Sequence, residues 1–225
     1  MIPISGDATM SGTVLVLVAG LPGTGKSRLC ARIQERFPGC AQVSIDDIKE
    51  RLWEEYGFDD IEQKQDLERK ALGIFFNEID AALNRDTRSS DAGGGSAPPL
   101  VLSDYPFSAK QLGTLKALCK HHGATALTIR LTADLAVLFE RQRRRDLDPA
   151  RHLGHIVVRY HPGDTLEDRS SATGLLTRDE FYRRCTTRGY DTFQLGDLLE
   201  VDATDLEAVD YEEILSWIAA RSLAP

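Results

Sequence analysis

Residues Thr13 to Ala19 read TVLVLVA, an almost unbroken apolar and β-branched run that predicts a strand buried on both faces. After GLPGTGKS the period changes. Leu29, Cys30, Ile33 and Phe37 fall at helical spacing, and Pro38-Gly39 stops that helix. Ala41 to Ile45 predicts a second short strand, followed by a helix carrying Ile48, Leu52, Trp53 and Tyr56 and a longer helix from Ile61 to Leu83. Leu100 to Ser103 predicts a third strand, Lys110 to His121 a helix with Leu112, Leu115 and Cys119 inward, and Ala124 to Leu131 a fourth strand. An Arg-dense helix is expected from about Asp134 to Arg145, another from Arg178 to Arg188, and a last strand at Leu198 to Val201. Tyr211, Ile214, Leu215 and Ile218 then repeat at i, i+3, i+4 and i+7, the stripe of a closing amphipathic helix. Strands alternating with helices imply an α/β fold, a five-stranded parallel sheet covered on both faces.

Three stretches lie outside this alternation. Residues 1–12 read as a loose polar leader and 86–99 (DTRSSDAGGGSAPP) as a flexible surface loop, while 146–176 has little periodicity. A single domain over 13–225 with a mobile insert is the expected organisation. The net charge of −8 is a poor footprint for bulk nucleic-acid binding. The longest apolar run falls well short of the ~20 residues that span a bilayer. No basic leader suggests secretion, and the four cysteines lie far apart with no Cys-x-x-Cys pair. Reduced thiols and a cytoplasmic location are expected; the oligomeric state is open.

Gly20-Leu21-Pro22-Gly23-Thr24-Gly25-Lys26-Ser27 matches G-x-x-x-x-G-K-[ST] between a buried strand and an amphipathic helix. Glycines let such a loop aim backbone N–H groups at phosphate oxygens, and the helix start adds partial positive charge. Lys26 would reach the β- and γ-phosphates of ATP (or GTP), and the Ser27 hydroxyl would ligate Mg²⁺.

With GLPGTGKS, the segments VSIDDIKERL, VLSDYPF and LFERQRRRDLDPARH give the chain a resemblance to the P-loop kinases, in particular to the small kinases related to chloramphenicol phosphotransferase, zeta toxins and the polynucleotide kinase domain. That resemblance implies a three-layer P-loop NTPase sandwich of the kinase type, with a helical lid at about 140–165. It implies that Asp46 faces the acceptor hydroxyl as general base, with Lys49 where the family more often carries arginine. An ammonium cannot grip a phosphate in bidentate fashion, so Lys49 weakens the polynucleotide kinase variant. Asp47 is the rival to Asp46, and both also suit a helix start. Leu100-Val101-Leu102-Ser103-Asp104 ends an apolar strand in an acid, placing Asp104 to hold Mg²⁺ through water or to contact the acceptor. Tyr105 follows where motor and AAA-type ATPases carry a second acid. Tyr105 and Phe107 are candidates either to line the acceptor pocket or to pack over the sheet edge.

Arg141, Arg143, Arg144, Arg145 and Arg151 concentrate positive charge in an acidic chain. Arg141 and Arg145, at i and i+4, share a helix face and resemble lid arginines that neutralise the transferring phosphoryl group. Arg143 and Arg144 point elsewhere, to solvent or to Glu140 and Asp146. Arg151 and His152 are expected to touch the acceptor from above. His152, His155 and His161 make a thin case for zinc; they read as ordinary loop histidines or as loop groups near the acceptor. The expected activity is ATP-dependent phosphorylation of a hydroxyl on a small molecule such as an antibiotic, nucleoside or sugar-like metabolite. A polynucleotide 5′-hydroxyl or nucleotide kinase, or a nucleotide-driven regulatory ATPase, is the alternative.

Overall fold

The computed structural model describes residues 12–84 and 99–222. The leader expected over 1–12 and the loop over 86–99 lie outside the described residues, apart from Gly12 and Pro99. The strands are β1 (Val14–Gly20), β2 (Ala41–Ser44), β3 (Leu100–Asp104), β4 (Thr125–Thr132) and β5 (Asp197–Asp202). The helices are α1 (Lys26–Arg36), α2 (Ile45–Tyr56), α3 (Ile61–Leu83), α4 (Ala109–His122), α5 (Leu135–Leu147), α6 (Arg178–Thr187) and α7 (Tyr211–Ser222). All strand pairs are parallel, in the order β2-β3-β1-β4-β5.

All seven residues of β1 are buried, as a central strand covered on both faces requires. Its alternate side chains feed two cores. Leu15, Leu17 and Ala19 pack with Ile48 and Leu52 of α2, Phe75 and Ile79 of α3, and Leu115 and Cys119 of α4. Val14, Val16 and Val18 pack with Leu29, Cys30 and Ile33 of α1 and with Ile214, Leu215 and Ile218 of α7. Because the strands run parallel, their carboxyl ends share one edge: Val18, Asp104 and Ser44 stand side by side. The chain changes direction across β1, with β3 on one side and β4 on the other, which opens a crevice outside that edge.

Two details depart from expectation. No loop separates β2 from α2: Ser44 is the last strand residue and the helix cap, its Oγ accepting from the Asp47 N–H at 3.3 Å. Asp46 therefore sits in the first helical turn rather than at the strand end. Phe107 is fully buried and stacks on Phe193 at 4.9 Å, so it belongs to the core and not to an acceptor pocket.

The unperiodic stretch after α5 is ordered by contact rather than by pattern. It contains two short 3-10 turns, Leu153–His155 and Arg169–Ser171, and a backbone bridge from Tyr160 to Phe58. Ile156, Val157, Tyr160 and Ala172 bury against Trp53 and Phe58, forming a small separate core beside α2 and α3. Gly154 is required there, because a Cβ would stand 2.6 Å from the Trp53 ring. The Lys64 ammonium lies near both rings, 5.5 Å from Trp53 and 5.4 Å from Phe58, and donates to the Val157 carbonyl at 2.9 Å.

Trp53 is 1% exposed and joins α2 to this segment. Trp53→Ala is expected to cost about 3–5 kcal/mol of unfolding free energy in urea titrations, the range for emptying a buried aromatic site. A loss below about 1 kcal/mol would mean that the segment is held by its polar contacts alone.

Candidate active site

The loop between β1 and α1 is a tight cradle. Gly23 and Gly25 have φ of 86° and 88°, a region that side chains rarely adopt. A Cβ on Gly23 would stand 2.9 Å from the Leu138 carbonyl oxygen of α5, and one on Gly25 2.7 Å from Leu206 Cδ2. The loop is thus clasped between α5 and the turn after β5. The buried Thr24 hydroxyl donates to the Leu21 carbonyl at 2.8 Å. Lys26 Nζ donates to the Gly20 and Leu21 carbonyls, each at 3.0 Å. Pro22, Gly23, Gly25, Lys26 and Ser27 face a cleft of about 550 Å³, whereas Gly20, Leu21 and Thr24 shape the loop from behind.

Asp46, Lys49, Asp104 and Tyr105 also line this cleft. Asp47, one residue on, is exposed and does not. Arg145 lies on the cleft wall with its Nη2 donating to Asp46 Oδ2 at 2.9 Å. Arg141 lines the cleft too, but its guanidinium donates to the carbonyls of Ala203 and Thr204, both at 2.7 Å. Its charge is committed to holding the turn after β5, which corrects the expectation that both arginines serve the transferring phosphoryl group alike. Arg143 and Arg144 are exposed. Asp146 is buried and pairs with Arg151 at 3.1 Å and with Gln142 at 2.7 Å, not with Arg143 or Arg144.

His152 is a second correction. It does not line the cleft; its Nδ1 accepts from the Gly154 N–H and its Nε2 meets Glu54 at 2.9 Å, against Trp53. The 3-10 turn brings His155 to the cleft instead, with Nε2 at 2.7 Å from Glu50 of α2. His161 meets Asp59 at 3.0 Å, and the Tyr160 hydroxyl donates to Glu54. The histidines therefore form a seam with the acids of α2 and the α2–α3 turn. Among the described residues no cluster of His, Cys, Asp and Glu could hold a metal ion. All four cysteines are free thiols, three of them buried.

Among the cleft residues that escaped the sequence reading are Glu68 of α3, Arg184 of α6, and Arg188 and Tyr190 just beyond it. Arg184 and Arg188 repeat at i, i+4 on the helix expected at Arg178–Arg188, the same signal that marked Arg141 and Arg145.

Charge and burial set the protonation of the cleft. Burial pushes Lys26 down to about 8, partly offset by Asp104 and Asp46. Burial pushes the Asp104 carboxyl up, and Lys26 opposes it. For Asp46, burial acts upward but is outweighed by the charges of His155, Lys49, Arg145 and Arg151, which hold its carboxyl well below the usual carboxylate range. Burial pushes Tyr105 up to about 12, so its phenol stays a proton donor.

Residues 15–158 match a protein family described as AAA domain. No curated protein matches the chain. Among solved structures it is similar to a candidate kinase from Chloroflexus aurantiacus J-10-fl, at 23% identity and TM-score 0.69 over 94% of this chain and 99% of that one. It is also similar to the tunicamycin resistance protein of Deinococcus radiodurans (16% identity, TM-score 0.48, 95% and 97% covered). A gluconokinase from Sinorhizobium meliloti 1021 stands at 17% identity and TM-score 0.47, with 94% and 91% covered. The first of these likenesses establishes the fold; the other two are too distant to bear on the site. The family description runs against setting AAA-type ATPases aside, yet the position on which that reading rested still carries Tyr105 and not a second acid.

The histidine–carboxylate seam makes stability depend on pH. Burial pushes His155 below its ordinary 6.5, against the pull of Glu50, so below about 6.5 the unfolded chain binds more protons than the folded one. Glu50, hydrogen-bonded to His155, and Glu54, hydrogen-bonded to Tyr160 and His152, are held below 4.5 and add the same slope further into acid. Lys26 and Lys64, pushed down to about 8, act with the same sign around and above that pH, where the folded chain has released protons that the unfolded one still holds. The urea midpoint is therefore expected to be flattest near pH 7, to fall below about 6.5 and to rise as pH passes through about 8. His155→Gln should flatten the upper part of that fall; an unchanged profile would remove His155 as its source.

Proposed function

The chain belongs to the AAA-domain family, and from that premise we propose that it is a kinase, moving the γ-phosphoryl group of ATP to a hydroxyl of a small molecule. The observation that carries this reading is Asp46, bonded to Arg145 and facing the same cleft as the phosphate loop. A carboxylate there orients an acceptor hydroxyl, whereas the position after Asp104 lacks the acid that would activate water.

The loop N–H groups and Lys26 hold the phosphates, and the left-handed glycines allow the backbone to approach them. Ser27 and Asp104 fit a magnesium ion, because both present hard oxygen donors on the cleft wall. Bound there, the ion supplies neutralisation of the β- and γ-oxygens. The acceptor oxygen forms its bond to the γ-phosphorus as the bond to the β,γ-bridging oxygen breaks, and ADP leaves. The cations around Asp46 keep it ionised and make it a weak base. It holds the hydroxyl in line and takes the proton late, once the forming O–P bond has made that proton acidic. When the acceptor displaces Arg145 from Asp46, the guanidinium is free to turn toward the phosphoryl oxygens. Arg141 keeps the turn after β5, and with it Leu206, against the loop.

ATP turnover measured alone and with a pool of hydroxylated metabolites tests the reading. Strong stimulation is expected, and vigorous unstimulated turnover would favour a nucleotide-driven regulatory ATPase. Lys26→Ala should abolish transfer without unfolding the chain. Asp46→Asn should lower turnover by ~10²–10⁴-fold at nearly unchanged ATP affinity, while Asp47→Asn should cost only helix-start stability of ~0.5–2 kcal/mol. Arg145→Gln should lower turnover far more than ATP affinity, and Arg141→Gln should weaken ATP binding first. The reverse pattern would exchange the two roles.

A further inference from the structure

The cleft carries more positive charge than a nucleotide site uses, and the excess is gathered at one end. Eight cationic side chains line it against three carboxylates. At the loop end, Arg28 is paired with Glu207 at 2.7 Å and Arg141 is bound to carbonyls. Lys26 serves the loop and Arg145 meets Asp46. At the other end stand Lys49 of α2 with Arg184 and Arg188. Glu180 answers Arg184 at 2.7 Å. Arg188 finds only the Tyr190 phenol at 3.3 Å, a neutral partner, and the Lys49 side chain makes no ion pair or hydrogen bond among the described residues. Resting on the kinase reading, we infer that the acceptor is itself an anion, a small hydroxylated molecule whose phosphate or carboxylate group is held by Lys49 and Arg188.

The physical reason is desolvation. A molecule filling a half-closed cleft strips water from the cations it covers, and a neutral one returns nothing for that loss. An anion restores charge-assisted hydrogen bonds. Lys49 comes from α2 and Arg188 from the end of α6; Tyr105 lines the side cavity with Lys49 and lies within the field of Arg188, so an anionic group beside Tyr105 answers both. Room for the rest of the molecule is present: a side cavity of about 250 Å³ shares Ile45, Lys49, Glu68 and Tyr105 with the main cleft. Glu68 accepts from hydroxyls and Tyr105 donates, so a polyhydroxylated body fits beside the anionic group.

Isothermal titration separates this inference from the reading beneath it. The protein is first titrated with the non-hydrolysable analogue AMP-PNP and Mg²⁺, then, fully loaded, with inorganic phosphate and in a second arm with acetate. We expect the loaded protein to bind one further anion, the tighter probe naming phosphate or carboxylate as the acceptor's group. Lys49→Gln and Arg188→Gln should each weaken that binding by about tenfold or more, with AMP-PNP affinity changed by less than about twofold. Arg188→Lys, which keeps the charge and loses the fork, should retain part of it. If AMP-PNP binds but displaces phosphate and acetate completely, these cations serve the nucleotide and the inference falls while the kinase reading stands. Variants that lose AMP-PNP rather than the second anion overturn it in the same way. Failure of AMP-PNP to bind at all sinks the kinase reading, and the inference with it.

Discussion

Everything in this molecule hangs on the burial of β1. A strand hidden on both faces must lie between others, and here it lies between two that run parallel to it. That arrangement collects the strand ends on one edge, so a loop leaving β1, an acid leaving β3 and a helix starting from β2 converge without any direct contact specifying them. The loop can then be tight. Its glycines are pressed between α5 and Leu206, so neighbouring elements hold the shape of the backbone that would cradle phosphates.

Convergence also creates an electrostatic problem. Three carboxylates and eight cations in one cleft must be kept apart enough to stay charged. The fold does this with distributed partners: Arg141 is tied by carbonyls, Arg151 by Asp146, Arg145 by Asp46. The outcome is an asymmetry between the two acids. Asp104 is pushed toward neutrality by burial, and Asp46 is held ionised by its cationic surroundings. A cation beside Asp104 would relieve its burial, while Asp46 already has one in Arg145.

Much of this was legible in the residues. The strands and helices announced themselves because each element has one side-chain period and one buried face, and α3 runs from Ile61 to Leu83 as its spacing predicts. The phosphate loop was legible because its chemistry is local. What escaped was chemistry made by contact between distant segments. Tyr105 and Phe107 look alike in sequence and both meet Phe75, but only Phe107 also stacks on Phe193 and is fully buried. His152 and His155 differ by one turn of 3-10 helix, and that turn decides which faces the cleft. Ile156, Val157 and Tyr160 show no period because their partners, Trp53 and Phe58, lie about a hundred residues earlier.

That last contact gives the segment after α5 its character. A segment without internal regularity has no stability of its own, so its position is set by what it docks on. It docks on α2, the helix that also carries Asp46 and Lys49. The contacts differ in kind: Trp53 and Phe58 bury area, which is indifferent to ligand charge, while the pairs from His152, His155 and Tyr160 to Glu54 and Glu50 respond to the local field. His155 belongs to both seam and cleft, and its charge acts on Asp46. His155 is held below its ordinary range mainly by burial, with the Arg151 charge adding to it and Glu50 and Asp46 opposing. The same histidine thus links the seam to the cleft, with Glu50 bonded to its ring and Asp46 within its field.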